Sequence, residues 1–272
     1  QIGPLTRTVK DAAFMLNLIA GVDPNDNTTV NNNNEDYLSG IDSGIEGKKI
    51  GIITDMIGDG IDPEVLTATK EAISKLEGLG ATCEEVSLDM VKYSVAAYYT
   101  ITATEAGSNL ARYDNLRYGY DFPVEGYEFN SYISKARKNL GPEVTRRMII
   151  GGFVPSAGHA GKYFLKAMKV KSKLTKEINE AFKKFDLLIS PTVPVQPFKI
   201  GEKIDDPVSL FLIDINTVTA NLTGKPAVSI PFKIVNGLPI GIQLMANSMD
   251  DKLLLQAAHA LEQTVSLPEV SI

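Results

Sequence analysis

Few residues in this chain have the type and setting to do chemistry. Asp214 lies inside Leu210-Phe211-Leu212-Ile213-Asp214-Ile215, where a carboxylate is costly unless something pairs with it. A ligand ammonium would serve, and so would backbone amides or an arginine. Arg146 and Arg147 follow the helix-opening pair Pro142-Glu143. They stand about 100° apart around that helix, so only one need face a pocket, and periodicity does not choose between them. An arginine fork suits a carboxylate because it donates two parallel hydrogen bonds. Ser190, in Ile-Ser-Pro-Thr, sits where a strand should end, and Ser156 lacks the strand-turn-helix context of a nucleophile elbow. Tyr98 and Tyr99 read equally well as core aromatics with satisfied hydroxyls.

Several chemistries are excluded. No Gly-x-Gly-x-x-Gly follows a strand, and no Gly-x4-Gly-Lys-Ser/Thr is present. Gly58-Asp59-Gly60 and Gly151-Gly152 are read as turns or tight packing. His159 and His259 are too isolated to build a metal centre, and no Cys/His cluster has zinc spacing. Cys83 is the lone cysteine, so no internal disulfide is possible. A net charge of −6 argues against a general nucleic-acid binder. The lysine-rich stretch from Lys162 to Lys184 is most simply a solvated helix face.

The elements that must position these residues alternate between helix and strand. Thr8 and Asp11 form a capping-box-like pair before an apolar run to Ile19, with Gly21 and Pro24 closing the helix. Asp23 to Asp36, with its four-Asn run Asn31 to Asn34, reads as loop. Lys49 to Thr54 is a strand, and Asp62-Pro63-Glu64 opens a helix striped by Val65, Ala68, Ala72, Ile73 and Leu76. A second strand is expected over Glu84 to Leu88, parallel to the first with a right-handed crossover. Helices are expected through residues 92–120, over Asn130 to Asn139, from Pro142 to Ile150, and from about Gly161 to Phe185. A buried strand then covers Asp186 to Ser190, and Pro191, Pro194 and Pro197 impose a stiff loop. One helix over Leu210 to Leu222, strands Ala227 to Pro231 and Ile240 to Met245, and a helix over Asp250 to Gln263 complete the chain. The fold class is α/β, a mixed central sheet covered by helices on both faces, with no linker that divides residues 1–272. With 272 residues, 44% of them hydrophobic, a large core can be buried. No apolar run nears the ~20 residues needed to span a bilayer, so no membrane role is expected and the cytoplasm is the natural compartment. Gln1 in place of a starting Met is expected of a processed or cleaved chain.

A family resemblance adds to this reading. Tyr98-Tyr99-Thr100-Ile101-Thr102-Ala103-Thr104-Glu105-Ala106-Gly107-Ser108-Asn109-Leu110-Ala111-Arg112-Tyr113-Asp114, then Arg117-Tyr118-Gly119, resembles the tRNA-dependent amidotransferase branch of the amidase-signature family. Gly161-Lys162-Tyr163-Phe164 with Ala167-Met168-Lys169-Val170, and Phe198 to Lys203 with Asp205-Asp206-Pro207, are similar to the same branch. Asn221-Leu222-Thr223-Gly224-Lys225-Pro226-Ala227-Val228-Ser229-Ile230-Pro231 and Gly237-Leu238-Pro239-Ile240-Gly241-Ile242-Gln243-Leu244 resemble blocks common to much of the family.

The resemblance implies an amidase-signature fold and a glutaminase subunit, in which a Ser nucleophile, helped by a second Ser and a Lys, releases ammonia from glutamine. Partner B and C subunits, using ATP and Mg, would place that ammonia on Glu mischarged on tRNA(Gln), or Asp on tRNA(Asn). Charged tRNA would be held mainly by the partner subunit. No serine here matches the nucleophile, so no catalytic residue is assigned, and the family's serine-lysine signature is expected upstream of Gln1. The 272 residues are expected to be the C-terminal part of one amidase-signature domain, inactive alone. The family's motifs match Tyr98, Arg147 and Asp214 to glutamine recognition. Two alternatives stand beside this: a stand-alone amide hydrolase, and a non-catalytic ligand-binding or scaffold module.

Overall fold

The computed structural model describes residues 2–31, 35–58, 60–114, 116–119, 123, 125–202 and 207–266. Gln1, Asn32 to Asn34, Asp59, and Lys203, Asp205 and Asp206 of the sequence blocks lie outside the described residues. Packing divides the chain into two units, Gln1–Lys92 with Leu174–Ile272, and Tyr93–Lys173.

The first unit is built on a five-stranded mixed sheet. Its strands are β1 (Lys49–Ile53), β2 (Thr82–Val86), β3 (Leu187–Pro191), β4 (Ala227–Val235) and β5 (Leu238–Ala246), in spatial order β2-β1-β3-β5-β4. β1 runs parallel to β2 and β3, whereas β5 runs antiparallel to β3 and β4. All five residues of β3 are buried, as a strand at the centre of a covered sheet requires. Asp186, just ahead of β3, locks it to β1: Lys49 N–H donates to the Asp186 carboxylate at 2.8 Å, and Asp186 N–H donates to Lys49 O at 2.8 Å. A β-carbon on Gly51 would come within 2.7 Å of the Leu188 side chain and 2.9 Å of the Phe185 ring, so those side chains would have to move to admit one. Asn236 and Gly237 have φ of 54° and 80°, the pair of left-handed residues that a two-residue hairpin needs, and they join β4 to β5.

Helices α1 (Val9–Ile19), α2 (Pro63–Gly78) and α9 (Asp251–Glu262) share one core cluster with alternate sheet residues such as Leu187, Ile189, Ile242 and Leu244. The capping box forms: Thr8 Oγ1 accepts from Asp11 N at 3.1 Å and donates to the Asp11 carboxylate at 2.7 Å. The Val9 N–H, left open by helix geometry, donates to Glu262 of α9 at 2.9 Å. Asp62 occupies the N-cap position of α2, but its carboxylate does not cap that helix. It accepts from Gln196 N at 2.8 Å, while Asp62 N donates to Pro194 O at 2.9 Å, pinning the proline loop.

Several expectations shift: the helix expected through residues 92–120 ends at Leu110, and the last two strands run longer, over Ala227–Val235 and Leu238–Ala246. β2 lies at Thr82–Val86 rather than Glu84 to Leu88, because Leu88 leaves the sheet to donate its N–H to Asp55 at 2.7 Å. The single helix expected over Leu210 to Leu222 is two, α7 (Pro207–Ile213) and α8 (Val218–Thr223), separated by a turn at 214–217.

The second unit contains α3 (Ser94–Leu110), α4 (Phe129–Arg137) and α5 (Pro142–Phe153). Helix α6 (Phe164–Ala181) begins in this unit and ends in the first. Lys166, Lys169, Lys173 and Lys176 on α6 are exposed, and Ala167, Leu174, Ile178 and Ala181 are buried, the alternation expected of a solvated amphipathic helix. No helix among the described residues is long and apolar enough to cross a membrane.

Candidate substrate-recognition site

Tyr98 and Arg147 belong to the second unit and Asp214 to the first. Within the second unit, α3 carries Tyr98 and α5 carries Arg147, and the two helices meet backbone to backbone. A β-carbon on Gly107 of α3 would lie 2.9 Å from Gly151 Cα, and one on Gly151 would collide with the Ala103 carbonyl oxygen. Gly151, one turn beyond Arg147, is thus a close-packing glycine. This crossing fixes how the two candidate side chains are presented.

Arg147 is exposed and its Nε donates to Glu143 Oε1 at 3.1 Å. Arg146 reaches the other oxygen of the same carboxylate at 3.0 Å. Glu143 therefore orients both arginines from positions i−3 and i−4. Among the described residues, the terminal nitrogens of Arg147 have no hydrogen-bonding partner, so one edge of its fork is open to an anion. Tyr98 is half-buried and packs edge-on against Tyr99, with ring centroids 5.2 Å apart.

Asp214 does not sit in the middle of an apolar helix. It is half-buried at the α7–α8 break, beside an exposed Leu212. Its carbonyl accepts from Thr217 N, Val218 N and Thr217 Oγ1, each at 3.0 Å, which starts α8. The carboxylate therefore rides on a hydrogen-bonded turn.

That turn adjoins a buried polar cluster that sequence reasoning missed. Ser190, Asn216 and Gln243 come from β3, the turn and β5, and none is more than 5% exposed. Gln243 Nε2 lies 3.2 Å from both Ser190 Oγ and Asn216 O, and Asn216 Nδ2 donates to Pro191 O at 3.0 Å. The available signal was a glutamine inside the otherwise apolar Leu-Pro-Ile-Gly-Ile-Gln-Leu-Met-Ala strand. The role of Ser190 is to accept within this cluster.

Other chemistry-bearing residues are engaged structurally. Ser156 Oγ donates to Phe153 O at 2.6 Å, and His159 packs against the rings of Phe153 and Tyr163. His259 is buried with its ring nitrogens 3.2 Å from Glu262 and 3.1 Å from Asp42. Burial, then the nearby Glu77 carboxylate, push the Cys83 thiol up to about 11, away from reactivity. No cluster of three or more His, Cys, Asp or Glu suited to a metal ion occurs among the described residues.

The model of the Amidase family matches residues 1–255. The A subunit of the Cenarchaeum symbiosum glutamyl-tRNA(Gln) amidotransferase is 62% identical over 269 residues, which is 99% of this chain and 56% of that protein. The protein of the same name from Methanosarcina mazei is 44% identical over 264 residues, 97% of this chain and 55% of that protein. Among solved structures, the A subunit of the Thermotoga maritima glutamyl-tRNA(Gln) amidotransferase matches with a TM-score of 0.73 and 38% identity, over 97% of this chain and 52% of that one. A bacterial aryl acylamidase of the amidase-signature family shares the fold, with a TM-score of 0.75 at 22% identity over 96% of this chain and 52% of its own. The α/β fold, a mixed sheet flanked by helices, is thus that of solved amidase-signature structures. The chain spans about half the length of the curated relatives it matches.

Proposed function

The chain belongs to the amidase family, and on that premise we propose that it is part of the glutamine-hydrolysing A subunit of a cytoplasmic tRNA-dependent amidotransferase. The observation that carries this reading is the 62% identity to one such protein over 99% of the chain. In it, these residues recognise glutamine.

Free glutamine presents a carboxylate and an ammonium, so a selective pocket needs one group of each opposite sign. The open edge of the Arg147 fork suits the carboxylate, Asp214 suits the ammonium, and Tyr98 is assigned to recognition by the family resemblance. Supporting this, the Arg147 terminal nitrogens have no partner among the described residues, and Asp214 is carried on a fixed turn. Cleavage uses the serine nucleophile that the family resemblance implies. Its oxygen attacks the side-chain amide carbon, the C–N bond breaks, and ammonia leaves with a proton relayed through a second serine and a lysine. Water then hydrolyses the glutamyl ester. The B and C subunits, with ATP and magnesium, transfer the ammonia to Glu on tRNA(Gln), or to Asp on tRNA(Asn).

The test uses the complete enzyme with all its partners. Arg147→Ala and Asp214→Ala should each lower glutamine-dependent amidation about tenfold or more, the effect of losing a charge-assisted contact. Amidation driven by free ammonium should stay at the parent level. Equal loss with both nitrogen sources would remove the recognition roles.

A further inference from the structure

Asp214 can serve as a selective group only if its turn is held still, and the two short helices on either side are poor anchors. The holding contacts come from the sheet. Asn216, two residues beyond Asp214 and fully buried, donates through Nδ2 to Pro191 O at the end of β3. Its own carbonyl accepts from Gln243 Nε2 of β5, which also lies 3.2 Å from Ser190 Oγ.

An amide in the middle of a sheet is tolerated only when hydrogen-bonded. On β5 the residues around Gln243 are Ile242, Leu244 and Met245, all buried and apolar. The Gln243 NH2 group thus spans two different elements, the end of β3 and the 214–217 turn, at the point where β3 and β5 are in register at Ser190 and Gln243. Replacing it with an apolar side chain of the same length would leave Asn216 O without this donor and release the turn from the strand.

We propose that Gln243 is a positioning residue for ligand recognition. It fixes the Asp214 turn to the end of β3 and so sets how well the site distinguishes a ligand that carries an α-ammonium from one that does not. This rests on the reading of Asp214 as the ammonium's partner. Gln243 itself touches no substrate.

The experiment compares two amides in the complete amidotransferase complex: glutamine, and glutaramate, which keeps the side-chain amide and the carboxylate but lacks the ammonium. Ammonia release is measured as kcat/KM for each. Asp214→Asn should reduce the preference for glutamine about tenfold. Gln243→Met should reduce the same preference about threefold to tenfold, chiefly through the KM for glutamine, with kcat near the parent value. In an Asp214→Asn background, Gln243→Met should change the preference no further, because the residue acts through Asp214. Should Gln243→Met fail to fold, Asn216→Ala, which cuts the tie to Pro191 from the other side, should give the same shift in preference.

If Asp214→Asn shifts the preference and the clasp variants do not, or lower both substrates equally, the positioning role is wrong while the ammonium role of Asp214 stands. If Asp214→Asn leaves the preference unchanged, the ammonium role fails and the positioning role fails with it.

Discussion

Gly151 of α5 lies against Gly107 of α3 with no room for a side chain on either glycine. The consequence is measurable, because the neighbouring Gly152 faces open space.

Gly151→Ala should destabilise the protein by about 1–3 kcal/mol, since the new methyl meets the backbone of α3 and neither helix can yield cheaply. Gly152→Ala should be neutral or stabilising by up to about 1 kcal/mol, because alanine favours the helix and meets nothing. Denaturant unfolding of the pair checks this. Equal effects would mean that the crossing is not tightly packed.

The shared carboxylate of Glu143 separates stability from recognition. Its pairs with Arg146 and Arg147 are exposed, so Arg146→Ala, Arg147→Ala and Glu143→Gln should each change stability by less than about 1 kcal/mol. In the complete protein only Arg147→Ala should raise the KM for glutamine, and Arg147→Lys should not restore it, because lysine lacks the planar fork. A rise of the same size with Arg146→Ala would exchange the two roles.

Glu262 joins the end of α9 to the start of α1. One carboxylate oxygen accepts from Val9 N at 2.9 Å and the other lies 3.2 Å from His259 Nδ1. Glu262→Ala should cost about 1–3 kcal/mol by leaving a helix N–H without its acceptor. Glu262→Gln, which keeps an acceptor oxygen, should cost less. Thermal unfolding of the two variants against the parent provides the comparison.

Asp114 gives an acid-dependent step. The Arg117 backbone N–H, then the Arg117 side chain, hold its carboxyl down from the ordinary 3.8 to about 2. The folded state therefore favours the ionised form. Its contribution to stability is complete above pH 3.8 and is lost as the pH falls through about 2. Asp114→Asn should have a shallower fall in denaturant midpoint between those two values than the parent. Parallel curves would show that Asp114 does not contribute this step.

Sequence pattern was enough where local chemistry decides the structure. The Thr8–Asp11 box, Pro63 at the start of α2 and the apolar run of β3 are all properties of a few adjacent residues. It erred where distant groups decide. Leu88 read as strand because it is apolar, yet the Asp55 carboxylate draws its N–H away. The α7–α8 break has no Gly or Pro to mark it, and the distant groups at this turn are Pro191 O and Gln243 Nε2, which hold Asn216. Of the site, the Glu143–Arg147 pair was open to an i, i+4 reading. The Ser190–Gln243 contact joins residues 53 apart, which periodicity cannot reach. The hairpin was readable but missed, in the Asn236-Gly237 dipeptide between two apolar runs.

The place of β3 at the middle of the sheet governs the order in which this unit can assemble during synthesis. Its tie to β1 spans 137 residues, from Lys49 to Asp186, and the whole of Tyr93–Lys173 must be made before the two strands can meet. Until then β1 has only β2 beside it, and the edge that β3 will occupy stands open. Contacts this distant slow folding, because the chain must close a long loop before the pairing compensates for it. A nascent chain paused between those points would hold an apolar strand with one open edge, which makes that interval the one in which a chaperone has most to protect.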